Sequence, residues 1–233
     1  MILYLLVAVI SLLPTLGVFW WMRNKMGDKD LCDRAFRYGL LTILPVLVLS
    51  GVSSLLVRFT GLEQTNPLLY QALHKFIVLA LAEEVAKYGM FRYFLQKTGH
   101  TRSWLSAVVL MTTIAIGFST IESVTLGIGA NIPIMIVRGI SFPHVGYGYL
   151  IGKYYGQGLK TRQPNLVWIG FALAWFLHGL YDFSLSEELI AINEFFLFLP
   201  FVLVAVDIIL TVLLIRFVNK AAKDETYAQP ISA

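Results

Sequence analysis

The chain lacks several features on which soluble and secreted proteins rely. Of its 233 residues, only 14% are charged, and a single cysteine, Cys32, excludes an internal disulfide. No glycine-rich phosphate loop is present, so phosphoryl and nucleotide chemistry have no support. The net charge of +4 does not indicate nucleic-acid binding, because the basic residues flank apolar segments instead of forming a patch.

Apolar residues take the place of the missing charges. They make up 58% of the chain, and the mean hydropathy is +0.73, whereas a soluble domain is nearer half apolar. We therefore expect an all-α polytopic membrane bundle, with one transmembrane domain over residues 1–220 and a polar cytoplasmic tail over 221–233. The pattern predicts seven spans, at about 2–22, 37–57, 68–91, 104–126, 132–155, 165–185 and 194–215.

The basic residues sort by loop, and this predicts the orientation. The loops of one side carry Arg23, Lys25, Lys29, Arg34, Arg37, Arg92, Lys97, Arg102, Lys153, Lys160, Arg162, Arg216, Lys220 and Lys223. The opposite loops carry Arg58 together with Glu63, Glu187 and Glu188. The positive-inside rule then places the N-terminus outside and the C-terminus in the cytoplasm, which an odd number of spans requires.

A turn with three charged residues lies inside the third apolar segment. One Asp, Lys or Arg at a helix centre costs about 2.5–3.5 kcal/mol, so charges there indicate function by default. Glu83 and Lys87 are four residues apart and share a helix face, where they can pair. We expect that pair to leave the other carboxylate, Glu84, free to point elsewhere. A structural ion-pair network that ties helices together is the alternative.

Further ionisable residues interrupt the later apolar segments. His144 and His178 fall near the middle of their segments, at the depth of Glu83, and form a predicted central layer. Glu122, Arg138 and Asp182 lie nearer the outer face, where Arg138 could pair with either carboxylate. His178 and Asp182 are four residues apart, so Asp182 could orient or charge-balance the ring.

The remaining polar residues of the spans have simpler explanations. Asp207 is expected to be a helix-packing partner, and no role is assigned to His74 or His100. Small residues let helices approach closely. We expect such packing at Gly127, Gly129, Gly146, Gly148 and Gly152.

Carboxylates and imidazoles buried together suit the activation of water. A buried glutamate can act as general base, and histidines can position the water or donate to an oxyanion. Peptide-bond hydrolysis needs these parts and no organic cofactor. A zinc ion is the alternative, with candidate ligands Glu83, Glu122, His144 and His178. No His-Glu-x-x-His pair is present, so the ligands would have to converge from separate helices, and the sequence slightly favours metal-free water.

Four motifs follow one another on successive predicted helices. They are Glu83-Glu84-Val85-Ala86-Lys87-Tyr88, Gly117-Phe118-Ser119-Thr120-Ile121-Glu122-Ser123, Phe142-Pro143-His144 with Gly148-Tyr149-Leu150-Ile151-Gly152-Lys153, and Leu177-His178-Gly179-Leu180-Tyr181-Asp182-Phe183. In order, spacing and membrane context they resemble the PrsW family of bacterial membrane-embedded proteases, within the CAAX-protease and bacteriocin-processing superfamily. The position four after Phe118, commonly His in the superfamily, is Glu122 here, as in the PrsW branch.

The resemblance implies an enzyme of the bacterial cell membrane that acts in a stress response. Its substrate would be a single-span anti-sigma factor, cut first on the extracytoplasmic side. Carried over by position, Glu83 would activate water, Glu84 with Lys87 would hold the site, and Asp182 would support His178. The predicted catalytic residues are Glu83, Glu84, His144 and His178, and the supporting residues are Lys87, Glu122, Arg138 and Asp182.

Two other functions are compatible with the pattern. The same superfamily includes a non-catalytic relative, the seven-span scaffold subunit of gamma-secretase, so a membrane scaffold that binds partner helices is the main alternative. A proton-coupled transporter has less support, because no inverted repeat is visible. Both glutamates, Glu83 and Glu84, stand beside two histidines, which favours the enzyme.

Overall fold

Every regular element in the described part of the chain is helical, as expected. The computed structural model describes residues 2–99, 103–127 and 142–224. The predicted tail beyond residue 224 therefore lies outside these ranges, as do Arg138, His100, Arg102 and Gly129. The helices are α1 (Ile2–Lys25), α2 (Lys29–Leu41), α3 (Ile43–Arg58), α4 (Leu62–Thr65), α5 (Pro67–Leu73), a π-helix (His74–Leu81), α6 (Ala82–Thr98), α7 (Trp104–Gly127), α8 (Pro143–Thr161), α9 (Leu166–Ser184), α10 (Glu187–Ile190), a 3-10 helix (Glu194–Phe198) and α11 (Leu199–Ala221).

The length and composition of several helices suit a membrane. Within the described ranges, four stretches are long and apolar enough to cross it, namely Lys29–Arg58, Trp104–Thr125, Leu166–Ser184 and Glu194–Ala221. Two of them match the predicted spans 104–126 and 165–185 closely. The predicted span 132–155 is described only from residue 142 onward. Seven spans and the orientation of the termini stay predictions.

The first basic loop is shorter than expected, because α2 begins in it. The side chain of Asp28 accepts a hydrogen bond from the backbone N–H of Leu31 at 2.9 Å, which caps the helix start. Cys32, predicted to lie in a loop, is consequently a fully buried residue of α2. Pro45, which has no backbone N–H, follows the break between α2 and α3 at Thr42.

The core is built around α7, in which every residue from Ala107 to Ser119 is buried. Small residues let other helices approach it closely, as expected for membrane packing. A Cβ added to Gly148 would lie 2.9 Å from Thr112 Cα, and one added to Gly39 would lie 2.8 Å from Gly117 Cα. Helices α2 and α8 therefore pack directly on the backbone of α7. The predicted packing role of Gly148 is confirmed.

A π-helical segment stands where the sequence predicts one regular span over 68–91. It covers His74–Leu81 and leads directly into α6, which carries Glu83 and Glu84. The indole Nε1 of Trp175 in α9 donates to the carbonyl oxygen of Phe76 at 2.7 Å, within this segment. Such widened turns occur often near functional sites, because they rotate the residues that follow.

Candidate functional site

The charged turn at the start of α6 is buried, and its pairing differs from the expected one. Lys87 Nζ lies 2.6 Å from Glu84 Oε1, and both side chains are fully buried. Helical spacing predicts a pair with Glu83, four residues away, but the ammonium pairs with Glu84, three away, which the family resemblance places with Lys87. The reason is tertiary, since Glu84 Oε1 also accepts from Nδ1 of His178 at 2.8 Å. Glu84 is therefore held by an ammonium and an imidazole.

His144 connects Lys87 to the carboxylate of Glu122. Its Nδ1 lies 3.0 Å from Lys87 Nζ, and its Nε2 lies 2.8 Å from Glu122 Oε2. A lysine ammonium can only donate hydrogen bonds, so Nδ1 of His144 accepts. The ring proton then lies on Nε2 and is donated to Glu122. The predicted residues of α6, α7 and α8 are thus joined in one hydrogen-bonded chain.

His178 presents its second nitrogen to two further carboxylates. With Nδ1 donating to Glu84, Nε2 lies 3.6 Å from Glu83 Oε2 and 3.6 Å from Asp182 Oδ2. Both distances are too long for hydrogen bonds, and they allow an ionic attraction only when the ring is protonated. The hydrogen bond that orients the ring therefore comes from Glu84, and Asp182 is placed to balance charge.

Three of these side chains form a cluster with the donor atoms of a metal site. One ligand atom each from Glu83, His144 and His178 lies within 4.8 Å of the others, and all three residues are buried. Glu83 Oε2 accepts no hydrogen bond from any residue in the described ranges. One carboxylate and two imidazoles are a donor set that zinc hydrolases use. The cluster fits zinc in donor type, although His144 would first have to release the hydrogen bond of one ring nitrogen, to Lys87 or to Glu122.

The site is closed at one end and more open at the other. The side chains of Glu84 and Lys87 have no exposed surface, whereas those of Glu122 and Asp182 are 13% and 14% exposed. Glu122 lies near the end of α7 and Asp182 near the end of α9. Among the described residues, the site is therefore more exposed toward the ends of α7 and α9.

Two aromatic contacts of the site are absent from the sequence-based prediction. Tyr147 lies face to face with His178, with ring centroids 5.1 Å apart and planes 22° apart. Lys87 Nζ lies 5.0 Å from the centroid of Phe118, over its ring. Phe118 belongs to a quoted motif, and Tyr147 is three residues from His144, on the same helix face. Its spacing of three residues from His144 was the sequence signal that could have placed Tyr147 at the site.

The helices bury a cluster of glutamates and histidines, which is more exposed on the side of Glu122 and Asp182. Such a set of side chains inside a membrane protein is typical of a membrane-embedded hydrolase. The chain belongs to the PrsW-protease family, described as PrsW family intramembrane metalloprotease, which matches residues 29–212. It is therefore a membrane-embedded protease, and the non-catalytic scaffold is not favoured.

Three relatives called Protease PrsW are similar over most of their length. The protein from Clostridioides difficile is 24% identical over 78% of this chain and 79% of its own. The one from Geobacillus kaustophilus is 25% identical over 73% of this chain and 74% of its own. The one from Bacillus subtilis is 23% identical over 78% of this chain and 82% of its own. No solved structure matches the chain.

Proposed function

We propose that the protein hydrolyses a peptide bond in a single-span membrane protein, and that Glu83, His144 and His178 carry out the reaction. The observation that carries this proposal is the convergence of these three buried side chains from α6, α8 and α9. Following the family resemblance, we propose an anti-sigma factor as the substrate, cleaved at a first site.

Glu83 is the carboxylate that we assign to water. Glu84 is engaged by Lys87 and His178, whereas Glu83 Oε2 has no hydrogen-bond partner within the described ranges. A carboxylate oxygen in that position can accept the proton of an attacking water. Glu84 and Lys87 then have a supporting role, because their ion pair fixes the imidazoles on either side.

The two histidines have different surroundings, and we assign them different tasks. His178 is fixed at Nδ1 and presents Nε2 to Glu83, so this nitrogen can bind a cation or carry a proton to the departing amine. His144 carries its proton on Nε2 and can donate it to the oxygen of the scissile carbonyl in place of Glu122. Glu122 and Asp182 balance the charge of these rings.

A zinc ion would be held by Glu83, His144 and His178, the donor set described above. When bound, zinc would polarise the scissile carbonyl and make a water molecule easier to deprotonate. To bind through Nε2, His144 would move its proton to Nδ1, and Lys87 would have to turn away from that nitrogen. The family description supports this metal-dependent form. In it Glu83 and His144 would be zinc ligands, so the proton transfers assigned to them above belong to the metal-free form.

The proposed topology places the open end of the site outside the cytoplasm. Seven spans with the N-terminus outside put Arg162, before α9, in the cytoplasm. Helix α9 then runs outward, so Asp182 near its end lies toward the outer face. Glu122 lies near the end of α7, which runs in the same direction from Trp104. This arrangement suits a cut on the extracytoplasmic side.

The proposal is tested by comparing protein N-termini in membranes from cells that express the wild type, Glu83→Gln or Glu187→Gln. Glu187 is an exposed glutamate outside the predicted spans and serves as the matched control. We expect new N-termini from a single-span protein with the wild type and Glu187→Gln, and their loss with Glu83→Gln. The same N-termini in Glu83→Gln cells, at equal protein abundance, would contradict the proposal.

A further inference from the structure

The π-helix before the charged turn is held against α9 by one hydrogen bond and one close contact. The indole Nε1 of Trp175 donates to the carbonyl oxygen of Phe76 at 2.7 Å. One turn further along α9, a Cβ added to Gly179 would lie 2.4 Å from Cδ1 of Phe76, so the phenylalanine ring occupies the space that a side chain there would take. Phe76 thus meets α9 through its backbone and through its ring. We call these two interactions the π–α9 contact.

The π–α9 contact uses the face of α9 next to the one that carries His178. Trp175, Gly179 and Phe183 follow one another at intervals of four and form one stripe of the helix. The ring centroid of Phe76 lies 6.5 Å from that of Trp175 and 6.2 Å from that of Phe183. His178 directly precedes Gly179 and therefore lies on the adjoining face. One face of α9 holds the π-helix, and the neighbouring face supplies the imidazole of the site.

The π-helix leads without a break into the residues that meet His178. It ends at Leu81, and Glu83 and Glu84 lie in the first turn of α6. Glu84 Oε1 lies 2.8 Å from Nδ1 of His178, and Glu83 Oε2 lies 3.6 Å from Nε2. A widened turn changes the rotation of the residues that follow it, compared with a regular helix. The direction of both carboxylates therefore depends on how the π-helix is held.

We propose that Trp175 and Phe76 are positioning residues, which hold the π-helix on α9 and thereby fix Glu83 at its distance from His178. This inference rests on the proposed function, in which Glu83 and His178 act on the same peptide bond. The indole N–H gives a backbone carbonyl of the widened turn a donor from another helix, and backbone polar groups inside a membrane need such partners. The phenylalanine ring sets the spacing of the two helices. Neither residue needs to contact the substrate.

Three variants separate the parts of the π–α9 contact. Trp175→Phe keeps an aromatic ring and removes the donor. Gly179→Ala keeps the donor and pushes the ring of Phe76 away. Gly179→Ala combined with Phe76→Leu makes room for the added methyl group. Trp168→Phe is the matched control, because Trp168 is a tryptophan of the same helix and is 57% exposed.

The readouts are kcat and KM, per folded protein, for cleavage in liposomes of the single-span protein that the N-terminus comparison identifies. We expect Trp175→Phe and Gly179→Ala to lower kcat by about 10–100-fold, because a misplacement of about 1 Å can cost about 10²-fold in rate. KM should stay unchanged, since the substrate is not touched. The double variant should cleave faster than Gly179→Ala alone, and Trp168→Phe should match the wild type.

Several outcomes would overturn the inference. A wild-type kcat in Trp175→Phe, while Glu83→Gln abolishes cleavage, would show that the π–α9 contact does not position Glu83 and would leave the proposed function standing. Trp175→Phe carries this test alone if Gly179→Ala does not fold. A raised KM at unchanged kcat would also contradict positioning, because it indicates a lost contact with substrate.

Two further results bear on the ring and on the proposed function. A double variant no faster than Gly179→Ala would contradict the spacing role of the Phe76 ring. If Glu83→Gln cleaves as the wild type does, the proposed function fails and the inference fails with it.

Discussion

Lys87 and Glu84 form an ion pair of 2.6 Å in which both side chains are fully buried. The same ammonium lies 3.0 Å from Nδ1 of His144, and the same carboxylate oxygen lies 2.8 Å from Nδ1 of His178. One pair on one turn of α6 therefore fixes an imidazole from each of two other helices. The site depends on this pair for its geometry before any water or substrate is bound.

Removal of Lys87 is predicted to destabilise the fold. Breaking a buried pair by deleting one partner costs about 3–5 kcal/mol, because the other charge is left uncompensated. We expect Lys87→Met to lower the free energy of unfolding by that order, whereas Lys97→Met, at an exposed lysine of the same helix, should be silent. Thermal unfolding of the purified variants in detergent measures this. Equal midpoints for the two variants would contradict a structural role of the pair.

The sequence predicts which residues meet in the site, but only part of how they pair. Glu83, His144 and His178 meet as the predicted central layer, because costly charges inside apolar segments need partners on neighbouring helices. Glu122 and Asp182, predicted to lie in a separate outer layer, are instead 2.8 Å and 3.6 Å from the two imidazoles. Regular helical spacing suggests a pair between Glu83 and Lys87. The observed partner of Lys87 is Glu84, and this choice depends on contacts with His178 that no local pattern contains.

Two features of the fold could not be predicted from hydrophobic periodicity. The π-helix His74–Leu81 lies inside a uniformly apolar stretch, where nothing in the residue pattern distinguishes a widened turn from a regular one. The contact between Tyr147 and His178 joins residues of different helices, whose relative rotation is set by close packing at glycines such as Gly148. Both features depend on tertiary structure.

Zinc binding is predicted to depend on the three clustered residues. We expect the purified protein to contain about one zinc ion per chain, and Glu83→Gln, His144→Ala and His178→Ala to contain much less, since three protein ligands are the usual number in catalytic sites. His74→Ala is the control, because His74 stacks on Tyr70 and is outside the cluster. Elemental analysis of the dialysed proteins measures the content. Full activity of zinc-free protein after chelation would favour the metal-free form.

The topology predicts which loops are accessible from outside the cell. Cys32 is buried, so its thiol cannot report which side of the membrane it lies on. Labelling therefore uses new cysteines at exposed positions, in a Cys32→Ala background. In intact cells, Glu63→Cys should react with a membrane-impermeant thiol reagent, whereas Gly27→Cys should react only after permeabilisation. The reverse pattern would place the open end of the site in the cytoplasm and contradict an extracytoplasmic cut.

The central claim is that the activation of water in the buried site of this membrane protease requires Glu83, as the base or as a zinc ligand. Its most direct test is the cleavage rate of purified protein in liposomes, acting on the single-span protein that the N-terminus comparison identifies. Loss of a general base costs about 10²–10⁴-fold in rate, and we predict a loss of that size for Glu83→Gln, with Glu187→Gln at the wild-type rate. A Glu83→Gln protein that is folded and cleaves at the wild-type rate would contradict the account.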